Sequence, residues 1–214
     1  MTGLMPRKNL FIILTLIFFS VLTWSGIHPR RPLTWFLEVV PALIGGAVLV
    51  MTYRRFPLTS LIYILFLFHA VILMIGGHYT YARMPLFNYI RDIFELSRNH
   101  YDRVGHFVQG FVPAIITREV LLRTSPLKKG KWLFFIVVCI CLSISAMYEL
   151  LEWQYAVIKG GASAKEFLGS QGDIWDAQND MAMALIGSII ALVTLSKYHD
   201  KLLKPFLTDR KQEK

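Results

Sequence analysis

The sequence predicts an all-α integral membrane protein with about six transmembrane helices, arranged as a single transmembrane domain over residues 1–214. Two observations support this fold class. First, 55% of the 214 residues are hydrophobic and only 17% are charged, whereas about a quarter of the residues of a soluble domain are charged. Second, the apolar residues stand in long unbroken runs, several of them near the length of about 20 residues that crosses a bilayer as a helix.

The apolar runs divide the chain into six predicted spans. The first run follows Arg7 and Lys8 and resembles a signal peptide, but no small-residue cleavage site follows Trp24 and further spans come after it. We therefore interpret it as a retained helix. The fourth run is the least hydrophobic of the six. The predicted spans are residues 10–27, 33–53, 58–76, 104–122, 132–153 and 174–195.

The net charge of +9 is distributed in short basic clusters between the apolar runs, a pattern typical of topology signals. We therefore expect membrane lipids as partners and no nucleic acid, while the oligomeric state stays open. Most Lys and Arg residues fall on the loops that share the side of the N-terminus, which predicts that both termini are cytoplasmic. The first outer loop, with Arg30 and Arg31, runs against this rule.

Two of the outer loops are long. In the loop of residues 77–103, the segment 87–96 has apolar residues at helical spacing, which indicates a short helix lying on the membrane surface. The loop of residues 156–172 contains Gly160 and Gly161, and it is long for a connection between two helices. Loops of this length are often functional or disordered.

The outer ends of the last three spans carry polar residues that recur at helical spacing, so that each span presents them as a stripe. Charged side chains inside a membrane are rare and usually functional. The sequence therefore predicts a polar site on one face of a helix bundle. Its candidate residues are Asp102, His106 and Gln109 on the fourth span, Glu149 and Glu152 on the fifth, and Asp173, Asp176, Gln178 and Asp180 on the sixth.

Carboxylates and an imidazole on neighbouring helices are the groups with which helix bundles bind metal ions. The cofactor stays open, and a divalent metal ion is our hypothesis, without choosing among Mg²⁺, Mn²⁺, Fe²⁺ and Zn²⁺. Such an ion could bind a lipid phosphate or activate water. The predicted metal ligands are Asp102, His106, Asp173 and Asp176.

The leading hypothesis is a metal-assisted enzyme that acts on a lipid or lipid-linked substrate from the outer side of the membrane. No glycine-rich phosphate loop, G-x-S-x-G or H-E-x-x-H motif is present, so the hypothesis depends on the polar residues alone. The predicted catalytic residues are Glu149, Asp176 and Asp180, and the predicted substrate-binding residues are Gln109, Glu152 and Gln178.

Two other functions fit the same residues: a transporter or channel for a small cation or a proton, and a non-catalytic protein whose polar cluster only ties helices together. A transporter needs polar residues through the inner half of the membrane. Residues 134–142 and 181–195 are almost wholly apolar, which favours a one-sided site. Arg118 and Glu119, near the inner end of the fourth span, are interpreted as topology signals and headgroup contacts.

Structural roles also remain open for individual residues. Asp102 and Asp173 precede apolar runs and could be helix N-caps, and His106 could simply form a hydrogen bond between helices. Glu149 and Asp180 are the strongest candidates for a functional or paired role, because both are expected to lie below the membrane interface.

Three segments resemble the YjdF family of bacterial inner-membrane proteins. They are residues 99–113, which contain NHYDRVGHF and QGFVP, residues 148–153 (YELLEW) and residues 171–181 (QGDIWDAQNDM). The resemblance covers most of the chain and implies a multi-span protein of the bacterial inner membrane with about this length. It implies no activity, so the predicted site rests on the physical properties of its residues.

Overall fold

A computed structural model describes residues 7–160 and 170–212 of the chain. Within these residues the secondary structure is helical and contains no strand, which confirms the all-α fold class. The middle of the predicted outer loop 156–172 lies outside the described residues. The helices are α1 Arg7–Gly26, α2 Pro32–Thr52, α3 Ser60–Tyr79, α4 Pro85–Ile93, α5 Tyr101–Thr124, α6 Lys131–Lys159 and α7 Asp176–Gln212, with a 3-10 helix Tyr81–Arg83 before α4.

Five helices, α1, α2, α3, α6 and α7, are long and apolar enough to cross a membrane. At 24 residues α5 is also long enough, but it carries charged residues at both ends. It lies beside α7, from Arg103 and Asp180 at one end to Glu119 and His199 at the other. Because α5 lies alongside the spanning helix α7 in this way, we treat α5 as a sixth span.

The chain divides into two compact units, Met1–Tyr79 and Thr80–Lys214, called unit 1 and unit 2 below. In unit 1, α1 and α2 each pack against α3. The core of this unit is formed by Val39 and Ala42 of α2 and Ala70 and Met74 of α3. The prediction of one transmembrane domain over the whole chain stays a prediction.

In unit 2, α5 and α7 run parallel and share the most extensive helix contact. Glycines let the two backbones approach closely at the middle of this contact. A Cβ atom at Gly110 would overlap the carbonyl oxygen of Ala184, and one at Gly187 would overlap that of Phe107. Small residues commonly allow such close approach in membrane helix pairs. The backbones of α5 and α7 therefore fill the space between them at mid-membrane.

The last helix is longer than predicted, because α7 continues well beyond Leu195 to Gln212. His199 and Leu203, on the added part, are fully buried. A prediction from hydropathy alone ends the sixth span at Leu195, where polar residues begin. In the folded protein these polar residues have partners on α5, so the helix stays packed past the apolar run.

Arg118 and Glu119 are buried, which corrects the interpretation of these residues as headgroup contacts. His199 Nε2 lies 2.8 Å from Glu119 Oε2, and Arg118 Nη2 lies 2.7 Å from Asp200 Oδ1. Arg123 Nη1 donates a hydrogen bond of 2.8 Å to Glu119 Oε1. We call these five residues the Glu119 network. It joins the C-terminal end of α5 to α7.

The short helix predicted within residues 87–96 is present as α4, Pro85–Ile93. Its exposed apolar residues are Leu86, Tyr89 and Ile93, which recur at helical spacing. Phe87 turns the other way and packs edge-on against Tyr101, with ring centroids 5.3 Å apart. A short helix with one exposed apolar face is typical of a membrane-surface segment.

Candidate polar site at the start of α5 and α7

The segment before α7 is held in place by the side chain of Gln171, which forms two hydrogen bonds with the backbone of Asn99. Gln171 Oε1 accepts a hydrogen bond from the Asn99 N–H, and Gln171 Nε2 donates one to the Asn99 carbonyl, each at 2.9 Å. Gln171 has a positive φ of 51° and Gly172 one of 90°. A positive φ is uncommon for a residue other than glycine, and the paired hydrogen bonds stabilise it here. The turn directs Asp173 towards the start of α5.

His106 lies among three carboxylates from three helices. Its Nε2 atom is 3.6 Å from Asp102 Oδ1, 3.5 Å from Glu149 Oε1 and 4.0 Å from Asp180 Oδ2. His106 and Asp180 are 7% and 3% exposed, so this part of the site is screened from its surroundings. We call Asp102, His106, Glu149 and Asp180 the His106 cluster.

Two arginines bind the aspartates on the other side of the site. Arg103 Nη1 lies 2.7 Å from Asp180 Oδ1, and Arg103 Nη2 lies 2.9 Å from Asp173 Oδ2 and 3.0 Å from Asp176 Oδ1. Arg98 contacts Asp176 closely and lies 3.4 Å from Asp173. Charge-assisted hydrogen bonds of this kind are short and strong. The arginines therefore neutralise part of the negative charge of the site and fix the start of α7 against α5.

Within the part of the chain that the structure describes, five carboxylates (Asp102, Glu149, Asp173, Asp176 and Asp180) meet two arginines here. With every carboxylate ionised and His106 neutral, the formal charge is 2 − 5 = −3. Burying uncompensated charge in a poorly solvated site is costly. The arrangement therefore favours a bound cation or bound protons.

Glu149 has an oxygen atom that its protein neighbours do not satisfy. The side chain is 10% exposed, and Oε1 makes no hydrogen bond within the part of the chain that the structure describes. Ser145 lies one turn deeper on the same face of α6 and is fully buried. Its Oγ also makes no hydrogen bond to any described residue. Buried polar atoms almost always have partners, so these two oxygens mark the deep side of the site as a place for a ligand.

Outside the membrane-spanning segments, two groups at the site have shifted pKa values. The N–H of Trp175, which donates a hydrogen bond to Asp173, lowers the pKa of that carboxyl, and Asn179, Arg103 and Arg98 lower it further. Partial burial, followed by the positive charges of Arg98 and Arg103, lowers the pKa of His100. These shifts favour the ionised form of Asp173 and the neutral form of His100.

The structure brings together most of the residues predicted from the sequence. Asp102, His106, Glu149 and Asp180 form the His106 cluster, while Asp173 and Asp176 lie against the arginines. Gln109 and Glu152 are half-buried on α5 and α6, and Gln178 is exposed on α7. The assignment of metal-ligand, catalytic and substrate-binding roles to these residues stays a prediction.

The structure also bears on the N-cap roles that the sequence left open for Asp102 and Asp173. Asp173 resembles an N-cap of α7, because its Oδ1 accepts a hydrogen bond of 2.9 Å from the N–H of Trp175. Asp102 lies inside the first turn of α5, after the cap position at His100. Asp102 is therefore not an N-cap, and its carboxylate faces His106 instead.

Sequence reasoning missed Arg98, Arg103, Asn99 and Gln171 as residues of the site. It treated the two arginines only as charges of an outer loop. A signal was available, because basic residues on the outer side violate the positive-inside rule. Such exceptions indicate arginines that are needed for pairing rather than for topology.

The residues of the His106 cluster fit a metal ion. One ligand atom from each of Asp102, His106 and Asp180 lies within 4.8 Å of the others. Two ligands on a tetrahedral ion with bonds of about 2.1 Å stand roughly 3.4 Å apart, close to the separations around His106 Nε2. The Oε1 atom of Glu149, which makes no hydrogen bond to a described residue, lies beside these ligand atoms.

Comparison with known proteins identifies a family and a relative that are both described as membrane proteins. The family model described as predicted membrane protein (DUF2238) matches residues 10–201. The chain is 46% identical over 186 residues to the inner membrane protein YjdF of Escherichia coli (strain K12), which covers 87% of this chain and 88% of that protein. No solved structure matches. The resemblance found in the sequence motifs is therefore confirmed.

Proposed function

Because the chain belongs to the family described as predicted membrane protein (DUF2238), whose description names no activity, we propose a function from its own residues. The protein is a membrane-embedded, metal-assisted hydrolase that acts on a phosphate ester of a lipid or lipid-linked substrate. The observation that carries the proposal is the convergence of Asp102, His106 and Asp180, with ligand atoms within 4.8 Å of one another, beside the unsatisfied carboxylate of Glu149.

A lipid substrate is favoured by the position of α4. The exposed apolar face of this helix would lie in the headgroup region of the membrane. Asn88 of α4 accepts a hydrogen bond of 2.8 Å from Asn99 Nδ2, and Asn99 is next in sequence to Arg98. A hydrogen bond therefore links the surface helix to the segment that carries Arg98, which would bring lipid headgroups and the site to one level.

The cluster and the arginines would have different tasks in this reaction. Asp102, His106 and Asp180 would hold a divalent ion, which supplies activated water and charge stabilisation when bound. Arg98 and Arg103 bind Asp173, Asp176 and Asp180 and would keep these carboxylates in place beside the ion. In the hydrolysis, the phosphorus–oxygen bond to the lipid breaks, water supplies a hydroxyl to phosphorus, and the leaving oxygen takes a proton. Glu149 would move that proton.

Metal analysis of the purified protein tests the first step. We expect a stoichiometric divalent ion in the wild type after loading and dialysis, and background levels in His106→Ala and Asp180→Asn. Asp92→Asn is the matched control, because Asp92 is an exposed carboxylate paired with Arg91 on α4. Absence of metal in the wild type, or equal metal in all four proteins, would contradict the proposal.

An activity assay tests the second step. Protein reconstituted in vesicles that contain lipid phosphates should release inorganic phosphate in a metal-dependent manner. Glu149→Gln should retain the metal and lose phosphate release by roughly 100- to 10,000-fold, the usual contribution of general acid–base catalysis. If Glu149→Gln lowers only thermal stability, and no phosphate release is found with the wild type, the polar cluster serves only to tie helices together.

A further inference from the structure

Unit 1 contains an apolar groove that the proposed function does not use. The groove has a volume of about 700 Å³, within the range of ligand-binding cavities in proteins. Residues of α1 form one wall, residues of α2 form the other, and Tyr63, Phe66 and Leu67 of α3 form the floor. Apart from Lys8, Thr15 and the two tyrosines, Tyr53 and Tyr63, the lining is apolar.

The groove covers one half of the membrane. It begins at Lys8, beside the end of α2 at Tyr53, and reaches Phe19 and Leu43. From Lys8 to Phe19 a helix rises about 16 Å, at about 1.5 Å per residue. This is about half of the roughly 30 Å hydrocarbon core. The groove therefore has the depth of a single lipid leaflet.

The open end of the groove is basic. Lys8 lines it, and Arg54 and Arg55 are exposed at the same end of unit 1, directly after α2. Phe11 fixes this end, because its ring packs edge-on against those of Tyr53 and Tyr63 at 4.9 and 4.6 Å. A basic group next to an acyl-chain groove complements a lipid that has a negatively charged headgroup.

We propose that this groove binds one anionic glycerophospholipid, with an acyl chain between α1 and α2 and the headgroup phosphate beside Lys8. A transmembrane helix of a second copy fits less well, because such a helix would need a groove through the full membrane, whereas this one ends at mid-depth. The lipid is a resident ligand of unit 1 and is independent of the polar site in unit 2.

Ala47 and Val48 provide matched variants on α2. Ala47 lines the groove, whereas its neighbour Val48 is exposed and does not line it. Phenylalanine at Ala47 would fill the groove, and phenylalanine at Val48 would leave it open. Met51→Trp, at the 78% exposed rim, is a second blocking variant that places no bulk in the core. Lys8→Gln removes the charge, and Lys128→Gln is its control in unit 2.

Native mass spectrometry of the detergent-solubilised protein, titrated with phosphatidylglycerol or phosphatidylcholine of identical chains, measures the binding. We expect one saturable phosphatidylglycerol per chain, reduced by Ala47→Phe and Met51→Trp to the level of non-specific adducts and unchanged by Val48→Phe. Lys8→Gln should lower the preference for phosphatidylglycerol about fivefold, the contribution of one basic residue near an anionic lipid surface.

Three results would overturn the proposal. One is lipid binding that does not saturate or does not differ between the two lipids. Another is equal binding by Ala47→Phe and Val48→Phe. The third is a dimer of the wild type that Ala47→Phe dissociates, because the groove would then hold a second copy of the chain. Metal binding by the His106 cluster is unaffected in any of these cases, so the two proposals fail separately.

Discussion

Arg103 connects three aspartates of the polar site, through Asp173, Asp176 and Asp180. Its side chain is 10% exposed and that of Asp180 is 3% exposed, so the charges of this pair are poorly solvated. Ion pairs in such surroundings contribute less than their Coulomb attraction suggests, but removing one partner leaves the other charges uncompensated. Arg103 is therefore a residue on which the folded arrangement of α5 and α7 depends.

Replacing this arginine gives the first prediction at the residue scale. We expect Arg103→Gln to lower the free energy of unfolding by roughly 3–5 kcal/mol, the usual effect of breaking a buried ion pair. Arg103→Lys should lower the free energy of unfolding by less, since lysine keeps the charge but lacks the planar fork. Unfolding in mixed detergent micelles measures the change.

The matched control for this prediction is Arg91→Gln. Arg91 pairs with Asp92 on the surface, and exposed pairs contribute about 0–1 kcal/mol. Equal destabilisation by Arg103→Gln and Arg91→Gln would show that the inner pairs do not support the fold.

A second prediction at this scale concerns pH and Asp173. Hydrogen bonds and positive neighbours lower its pKa in the folded protein. A carboxyl with a lowered folded-state pKa stabilises the fold above its ordinary pKa, and this stabilisation is lost as the pH falls through the folded-state value. Asp173→Asn should therefore melt below the wild type at neutral pH, and the two should converge at strongly acidic pH. A difference in melting temperature that stays constant with pH would refute this account.

At the residue scale, the spacing of polar residues along the chain predicted part of the candidate site and missed the rest. Spacing along α5 placed Asp102 and His106 on one stripe, and the expected depth of Glu149 and Asp180 placed them near the same level. The pairing of Arg103 with Asp180 joins segments far apart in the sequence. No periodicity within one helix reports such a pair, so spacing could not identify the partners of the arginines.

At the scale of elements, the contact between α5 and α7 depends on two glycines. Because a Cβ atom at Gly110 would overlap the backbone of α7, Gly110→Ala should force the helices apart. Overpacking typically costs about 1–3 kcal/mol, and here the obstacle is backbone, which cannot turn away as a side chain can. We expect a loss at or above the upper end of that range, measured by unfolding in micelles.

Gly46→Ala is the control for this prediction, since a Cβ atom at Gly46 would meet the ring of Phe18 at an ordinary 3.6 Å. Its effect on stability should be small. If Gly110→Ala is no more destabilising than Gly46→Ala, the close approach of the two backbones is not required.

The helices themselves were predicted well because their apolar runs are long. The exceptions were the ends. The C-terminal part of α7 was missed because His199 and Asp200 are polar, and hydropathy does not anticipate that Glu119 and Arg118 will bind them. Polar helix ends are thus the part of a membrane fold that depends most on tertiary contacts.

At the scale of the whole molecule, the polar residues lie at the two ends of α5 and α7. Asp180 and His199 are separated along α7 by about 28 Å, at about 1.5 Å per residue. Between them, Gly110 and Gly187 bring the two backbones together. Along the interface of these two helices, polar groups therefore do not form a continuous path across the membrane. This counts against a transport path along this interface.

The orientation of the chain gives a prediction at this scale. Lys197, Lys201 and Lys204 follow the apolar part of α7, and Arg7 and Lys8 begin α1. The positive-inside rule therefore predicts that both termini lie in the cytoplasm. A fluorescent protein fused to the C-terminus should fluoresce, and alkaline phosphatase fused there should be inactive. The opposite pair of results would place the His106 cluster on the cytoplasmic side.

The pairing of α5 with α7 has a consequence for biogenesis. The translocon releases a helix into lipid according to its apolarity, and α5 is not among the five helices that are apolar enough to cross a membrane by composition. Although α5 carries charges at both ends, their partners on α7 are synthesised only after α6. We therefore expect α5 to be held back during translation until the last helix emerges, so that a chain truncated before α7 fails to integrate and is degraded.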